Sequence, residues 1–273
     1  MSCSCPPRWC CSYPLIRGEA AGWPTWTWLS LAGAVVLLVA FVRYERWKTD
    51  RGGAPLLVLS LFRHRSFVVG LGVGLSFFSV LAPFLVLLTE YLQSGLDLTP
   101  RAAGLRFLPF AIGFLSASFA SARLAPRLGR AILQLGAALM VAGLLTLMAV
   151  VRSAAWDTSP LAYVLPLLVY GFGQGSLQAP LVNFILADVP PDEAGSASGV
   201  VTMLQQLSFA LGVAVIGSVF LVALGPNPGS TAYGRALDHA LAWNIGLLTV
   251  TFVAAFALPA RLRVRVKEAG ASA

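Results

Sequence analysis

Two long stretches, Leu161–Ala187 and Ala194–Leu224, contain no Asp, Glu, Lys or Arg, and only the short acidic connection Asp188-Val-Pro-Pro-Asp-Glu193 parts them. Each exceeds the about 20 residues with which a helix crosses a bilayer. A soluble helix of that length would carry charge on its wet side, so both stretches read as transmembrane helices. Their polar residues are amides and hydroxyls set among glycines. At about 3.6 residues per turn, Gly171, Gln174, Gly175 and Gln178 share one face of the first helix, and Gly195, Gly199, Thr202 and Gln206 form a stripe on the second. Glycines let backbones approach, and an amide facing hydrocarbon lacks a partner. These two faces are therefore expected to press against each other or to line a wet cavity, with Gly171, Gly175, Gly195 and Gly199 as the packing points.

The rest of the chain agrees. With 58% hydrophobic residues, 11% charged residues and a mean hydropathy of +0.79, the composition is that of an all-α integral membrane protein. Further apolar runs at Trp23–Val42, Ser66–Thr89, Phe107–Ala122, Ala131–Val151 and Ala240–Ala260 bring the predicted transmembrane helices to seven. The run Phe107–Ala122 is short, and the arginines that bracket it, Arg106 and Arg123, are expected to snorkel to the two surfaces. Pro55–Phe62 is too short to cross and is expected to lie along the interface. Residues 1–22 read as a disordered tail, residues 23–42 as the first span, 43–65 as a basic loop, 66–260 as six further spans and 261–273 as a basic tail.

A net charge of +8 at pH 7 would suit a nucleic-acid partner if the basic residues formed a patch, but they sit between the apolar runs. Of the nineteen Lys and Arg, thirteen fall on one side of the predicted topology and six on the other. The positive-inside bias puts the loop 43–65 and the C-terminus in the cytoplasm and the N-terminus outside, in a multi-pass protein of the cell membrane. The basic balance is thus a topology signal, and nucleic acid is excluded as a partner. All four cysteines, Cys3, Cys5, Cys10 and Cys11, lie in the first eleven residues, so neither a disulfide framework nor a metal site is expected through the body of the chain. The two histidines, His64 and His239, lack a Cys or acid at triad or metal spacing, and there is no phosphate loop with its lysine. No catalytic residue, cofactor or metal is expected, and the chain does not read as an enzyme.

Several short motifs occur in a telling order: Gly22-Trp23, Glu45-Arg46, Leu61-Phe62-Arg63, Tyr91-Leu92-Gln93, Ala103-Gly104-Leu105 with Leu108-Pro109, Gly171-x-Gly-x-Gly175 with Pro180, and Gly195-x-Ala-Ser-Gly199 with Gln205-Gln206. In that order the chain after Pro14 resembles the major facilitator superfamily, specifically the C-terminal part of the fourteen-helix drug:proton antiporters of the EmrB/QacA type. The resemblance implies a six-helix C-terminal lobe preceded by one inserted helix. It also implies alternating access, with a substrate path shared with an N-terminal lobe that these residues do not supply. The implied partners are the lipid bilayer, an apolar or amphipathic small molecule, protons and the missing lobe. The loop Ala122-Arg-Leu-Ala-Pro-Arg127-Leu-Gly129-Arg130 resembles the family's cytoplasmic gating motif, with Pro126 where the motif has Asp and Ala122 where it has its first Gly. Arg123, Arg127, Gly129 and Arg130 are accordingly gating-loop candidates, with membrane anchoring as the alternative role of the arginines.

Within the spans, Phe77, Phe78, Phe84 and Tyr91 suit an apolar cavity for a drug, and Gln174, Gln178 and Gln206 supply its polar groups. Glu90 is the one carboxylate read at a span end rather than in a loop or tail, which makes it the proton-relay candidate. A seven-span receptor fits the topology but lacks a Lys in the last span and an acidic Arg-Tyr motif closing the third. The remaining alternative to an exporter is a truncated, non-transporting fragment or interaction subunit that needs a partner lobe.

Overall fold

In a computed structural model of the chain, residues 43, 65–153, 159–187, 189–190, 193–225 and 229–257 are described. The chain divides into two compact units, Met1–Leu57 and Val58–Ala273, and all the elements below belong to the second. The first predicted span, the interfacial segment and the basic C-terminal tail lie outside the described residues.

Every described element is helical. Helix α1 (Arg65–Glu90) runs directly into a five-residue π-helical turn, Tyr91–Gly95. A short helix α2 (Pro100–Arg106) leads into α3 (Leu108–Leu128), followed by α4 (Ala131–Ser153), α5 (Pro160–Leu186), α6 (Ala194–Leu224) and α7 (Ser230–Ala254). Prolines open α2, α3 and α5, where a missing N–H costs nothing. Thr99 caps α2 by accepting the Ala102 N–H at 3.3 Å. The tight passage from α3 to α4 is made at Gly129, whose φ of 55° favours glycine.

Five of these helical segments are long and apolar enough to cross a membrane: Phe67–Gly95, Pro100–Ala125, Ala131–Ser153, Ala194–Leu224 and Thr231–Ala254. Helix α5 matches them in length and carries no charge, but its glycines, prolines and amides dilute its hydropathy. Two helix starts differ from expectation. The third span gains about two turns through α2, whose Arg106 is buried, at 8% exposure, instead of ending the helix at a surface. The last span begins at Ser230 rather than Ala240, and Asp238, expected in a loop, is helical. Its charge is tolerated there because Arg152 of α4 forms a bidentate pair with it, both N···O distances being 2.8 Å.

Four helices form a closed ring in the order α1, α5, α4, α7, each packing on the next, while α3 flanks α5 and α6 flanks α1 and α7. The flanking helices contribute the two least buried candidate spans. Contact points fix the directions. Gly74 lies against Leu204 and Gly212 against Ser79, so α1 and α6 run parallel. Gly171 meets Phe110 and Gly175 meets Phe114 and Ser118, so α3 and α5 do too. Around the ring neighbours are antiparallel: Gly70 touches Ile185 where Phe84 touches Tyr170, and Gly143 touches Tyr170 where Gly136 touches Leu177. Exchanging α1 with α5, α3 with α6 and α4 with α7 maps the main pairings onto themselves, so the six long helices behave as two interlocked triplets.

One expectation is corrected here. The uncharged helices α5 and α6 do not press their glycine faces together; they make little contact, and each packs chiefly on helices from the other triplet. The faces are taken by other partners: Gly171 and Gly175 of α5 lie against Phe110 and Phe114 of α3, and α6 packs on α1 and α7, with Gly212 against Ser79.

Candidate functional site

The aromatic residues expected to line a cavity are instead packed inside the lobe. Phe77 and Phe78 are wholly buried, Phe84 is 1% exposed and Tyr91 is 3% exposed. Phe78 meets Phe209 of α6 edge-on at 6.0 Å, and Phe84 lies 4.1 Å from the Tyr170 ring, which in turn stacks near Phe110 of α3. This chain of rings ties α1 to α5 and α3, and it encloses Phe77, Phe78, Phe84 and Tyr91. Length and polarity could not separate the two roles, because a helix in lipid is apolar on every side.

The amides separate by helix. Gln174 is buried, at 3% exposure, Gln178 is half-buried and Gln206 is exposed. On α5 the glycines abut backbone: a Cβ at Gly171 would collide with the Phe110 carbonyl, one at Gly175 with the Phe114 carbonyl, and one at Gly173 would stand 2.7 Å from the Gly136 carbonyl of α4. The stripe on α6 is the opposite. Gly195, Gly199, Thr202 and Gln206 are all exposed, and nothing lies within 4 Å of where a Cβ of Gly195 or Gly199 would stand. An exposed amide is costly to leave against lipid tails, and with two open glycines at helical spacing beside it the stripe suits a protein or aqueous surface.

At one end of the lobe, Glu90 is exposed in the last turn of α1, just before the π-helical turn. Gly95 closes that turn against α7, where its Cβ would stand 2.8 Å from Tyr233. At the other end, Arg123 and Arg127 are exposed, whereas Arg130 reaches across to the 3-10 turn Ala255–Ala257 that follows α7, donating from Nη1 to the Phe256 carbonyl at 3.2 Å and lying 5.8 Å from the Phe256 ring centroid. The gating-loop candidates thus divide into a turn residue, Gly129, a strap, Arg130, and two free-standing charges at the surface. The ends of the α4–α7 pair are both tied, by Arg152–Asp238 at one and Arg130–Phe256 at the other.

Sequence reasoning passed over Tyr170 and Asn244, two deeply enclosed polar residues, each 1% exposed. A single Asn on the buried side of an apolar run was the available signal. Among the described residues no group of three or more His, Cys, Asp or Glu could hold a metal ion.

The sequence signature described as Major Facilitator Superfamily matches residues 13–213. Among curated proteins, the chain is 39% identical over 215 residues to the "Probable actinorhodin transporter" of Streptomyces coelicolor, covering 78% of this chain and 37% of that protein. It is 35% identical over 237 residues to the "Puromycin resistance protein pur8" of Streptomyces alboniger, covering 82% and 46%. It is 30% identical over 211 residues to the "Multidrug resistance protein Stp" of Mycobacterium tuberculosis, covering 76% and 37%. The chain spans less than half the length of each of these relatives. With several apolar helices and a matching signature over most of its length, this chain is a multi-pass membrane protein that belongs to the Major Facilitator Superfamily.

Proposed function

We propose that the chain supplies the C-terminal lobe of a proton-coupled exporter of apolar or amphipathic small molecules, working by alternating access. The observation that carries this reading is the exposed stripe Gly195, Gly199, Thr202 and Gln206 on α6, a surface built for contact with protein or water on the outside of an otherwise complete bundle. The interlocked triplets support it, since transporters of this kind build each lobe from inverted three-helix repeats and place solute between two lobes. Relatives named for antibiotic transport and drug resistance support the substrate class. In this reading the outer faces of α3 and α6 receive the N-terminal lobe, Gln206 and the half-buried Gln178 border the solute path, and Glu90 serves as an accessible proton site. The basic ends near Arg123–Arg130 lie in the cytoplasm.

The test is complementation. A drug-sensitive strain lacking its own efflux pumps is given the chain, an N-terminal lobe taken from the Streptomyces alboniger relative, or both. Only the pair is expected to lower intracellular ethidium and to do so less well when the proton gradient is collapsed. Equal ethidium in all three strains, with both pieces present in the membrane, would favour a non-transporting fragment.

A further inference from the structure

Hydroxyls and amides behave differently in the interior of this lobe. Buried Ser and Thr hydroxyls satisfy themselves within their own helices: Ser176 donates to the Phe172 carbonyl at 2.8 Å, Ser208 to Leu204 at 2.7 Å and Thr251 to Leu247 at 3.0 Å. Two buried amides and a phenol do not. Gln174 Oε1 and both Oδ1 and Nδ2 of Asn244 are buried without a hydrogen-bond partner among the described residues, and so is the Tyr170 hydroxyl. Exposure at these three residues is 3% or less.

Register brings the three to one place. Tyr170 and Gln174 are four residues apart and share a face of α5. On α4, Tyr170 lies opposite Gly143, while Gly173, next to Gln174, lies opposite Gly136 and Met140. The antiparallel pairing of α4 with α7, marked by Arg152 to Asp238 and Arg130 to Phe256, sets Asn244 opposite residues 142–146, within about one helical turn of the depth of Tyr170. Helices α5 and α7 are diagonal in the four-helix ring, with α1 and α4 between them, and Asn244 is on the buried side of α7. Unpartnered donors and acceptors thus lie at similar depth on the buried sides of two helices that are diagonal in the ring.

We infer that Tyr170, Gln174 and Asn244 enclose a buried hydration site, a small cluster of water held inside the lobe. The chemistry selects water. A cation would meet the Asn244 amide hydrogens, an anion would meet the Gln174 and Asn244 oxygens, and an apolar molecule would leave all four polar atoms unsatisfied. Water donates and accepts at once, and a buried water typically makes about three hydrogen bonds to such groups. The site stands apart from the exposed stripe on α6 and does not depend on the chain's transporting anything.

The test is hydroxyl-radical labelling of the full chain in nanodiscs, read by mass spectrometry. Ionising pulses generate radicals from bound water, so Met140, which is wholly buried beside Gly173, is expected to be oxidised well above its accessibility. Wholly buried Phe78 and Leu88 are the dry controls. In the variant combining Tyr170→Phe, Gln174→Met and Asn244→Leu, Met140 labelling is expected to fall to the dry level. Asn244→Leu alone is expected to lower the apparent melting temperature by about 2–6 °C, and the triple variant to recover much of that loss, because an apolar centre leaves no polar group behind. Met140 labelling no higher than the dry controls in the wild type would overturn the inference, as would labelling that survives in a folded triple variant. If the triple variant does not fold, Tyr170→Phe with Asn244→Leu is used and read against the same two outcomes.

Discussion

Helices α5 and α6 both carry glycines at four-residue spacing, yet the two sets do opposite things. On α5, Gly171 and Gly175 lie against the Phe110 and Phe114 carbonyls of α3, where any side chain would force two backbones apart. On α6, Gly195 and Gly199 look into open space. A glycine in a transmembrane helix thus states that something can come close, without stating what. In α5 the neighbour is in the chain itself. In α6 the same signal marks a surface left over after the bundle has closed.

Substitutions should break this contrast in order. The largest effect is expected for Phe84→Ala, which removes the ring that joins α1 to Tyr170; it should destabilise by about 3–5 kcal/mol in a detergent unfolding titration. Gly171→Leu should cost about 3 kcal/mol and lower the melting temperature by about 6–12 °C, since a backbone carbonyl cannot move aside as a side chain does. Gly199→Leu should change stability by less than about 0.5 kcal/mol, because its Cβ meets nothing, while abolishing ethidium efflux when both lobes are present. A large loss of stability in Gly199→Leu would mean that the α6 stripe is packed, and the contrast would fail. The smallest structural effect is expected for Glu90→Gln, which should leave unfolding unchanged and, with both lobes present, flatten the pH dependence of efflux. An unaltered pH profile would remove Glu90 from proton handling.

What was legible in the sequence follows from what lipid reads. Runs without charge located the helices to within a few residues, because an unpaired charge in hydrocarbon is costly whichever way it points. Paired or enclosed charges broke that rule at both mistaken helix starts: Asp238 sits within α7 because Arg152 meets it, and Arg106 is buried at the end of α2. Facing was not legible. In water a helix must show one polar side, but Phe77 and Phe84 look the same to lipid as to a neighbouring helix, so aromatics assigned to a cavity proved to be core. Partner choice was equally hidden, since adjacency in sequence suggested α5 with α6, whereas the close parallel pairs join α1 to α6 and α3 to α5.

Those crossed pairings bear on how the lobe is made. As the chain leaves the ribosome, α3 enters the bilayer before α5, the helix whose glycines it is shaped to meet, and α1 waits longer still for α6. Early intermediates must hold close-packing faces open to lipid until distant segments arrive, which is the situation in which nascent membrane proteins are slow to mature and prone to capture by insertion factors or proteases. Maturation of this lobe should therefore be gated by synthesis of its last two helices, and a ribosome stalled before Ala194 should leave a bundle that quality control treats as unfinished.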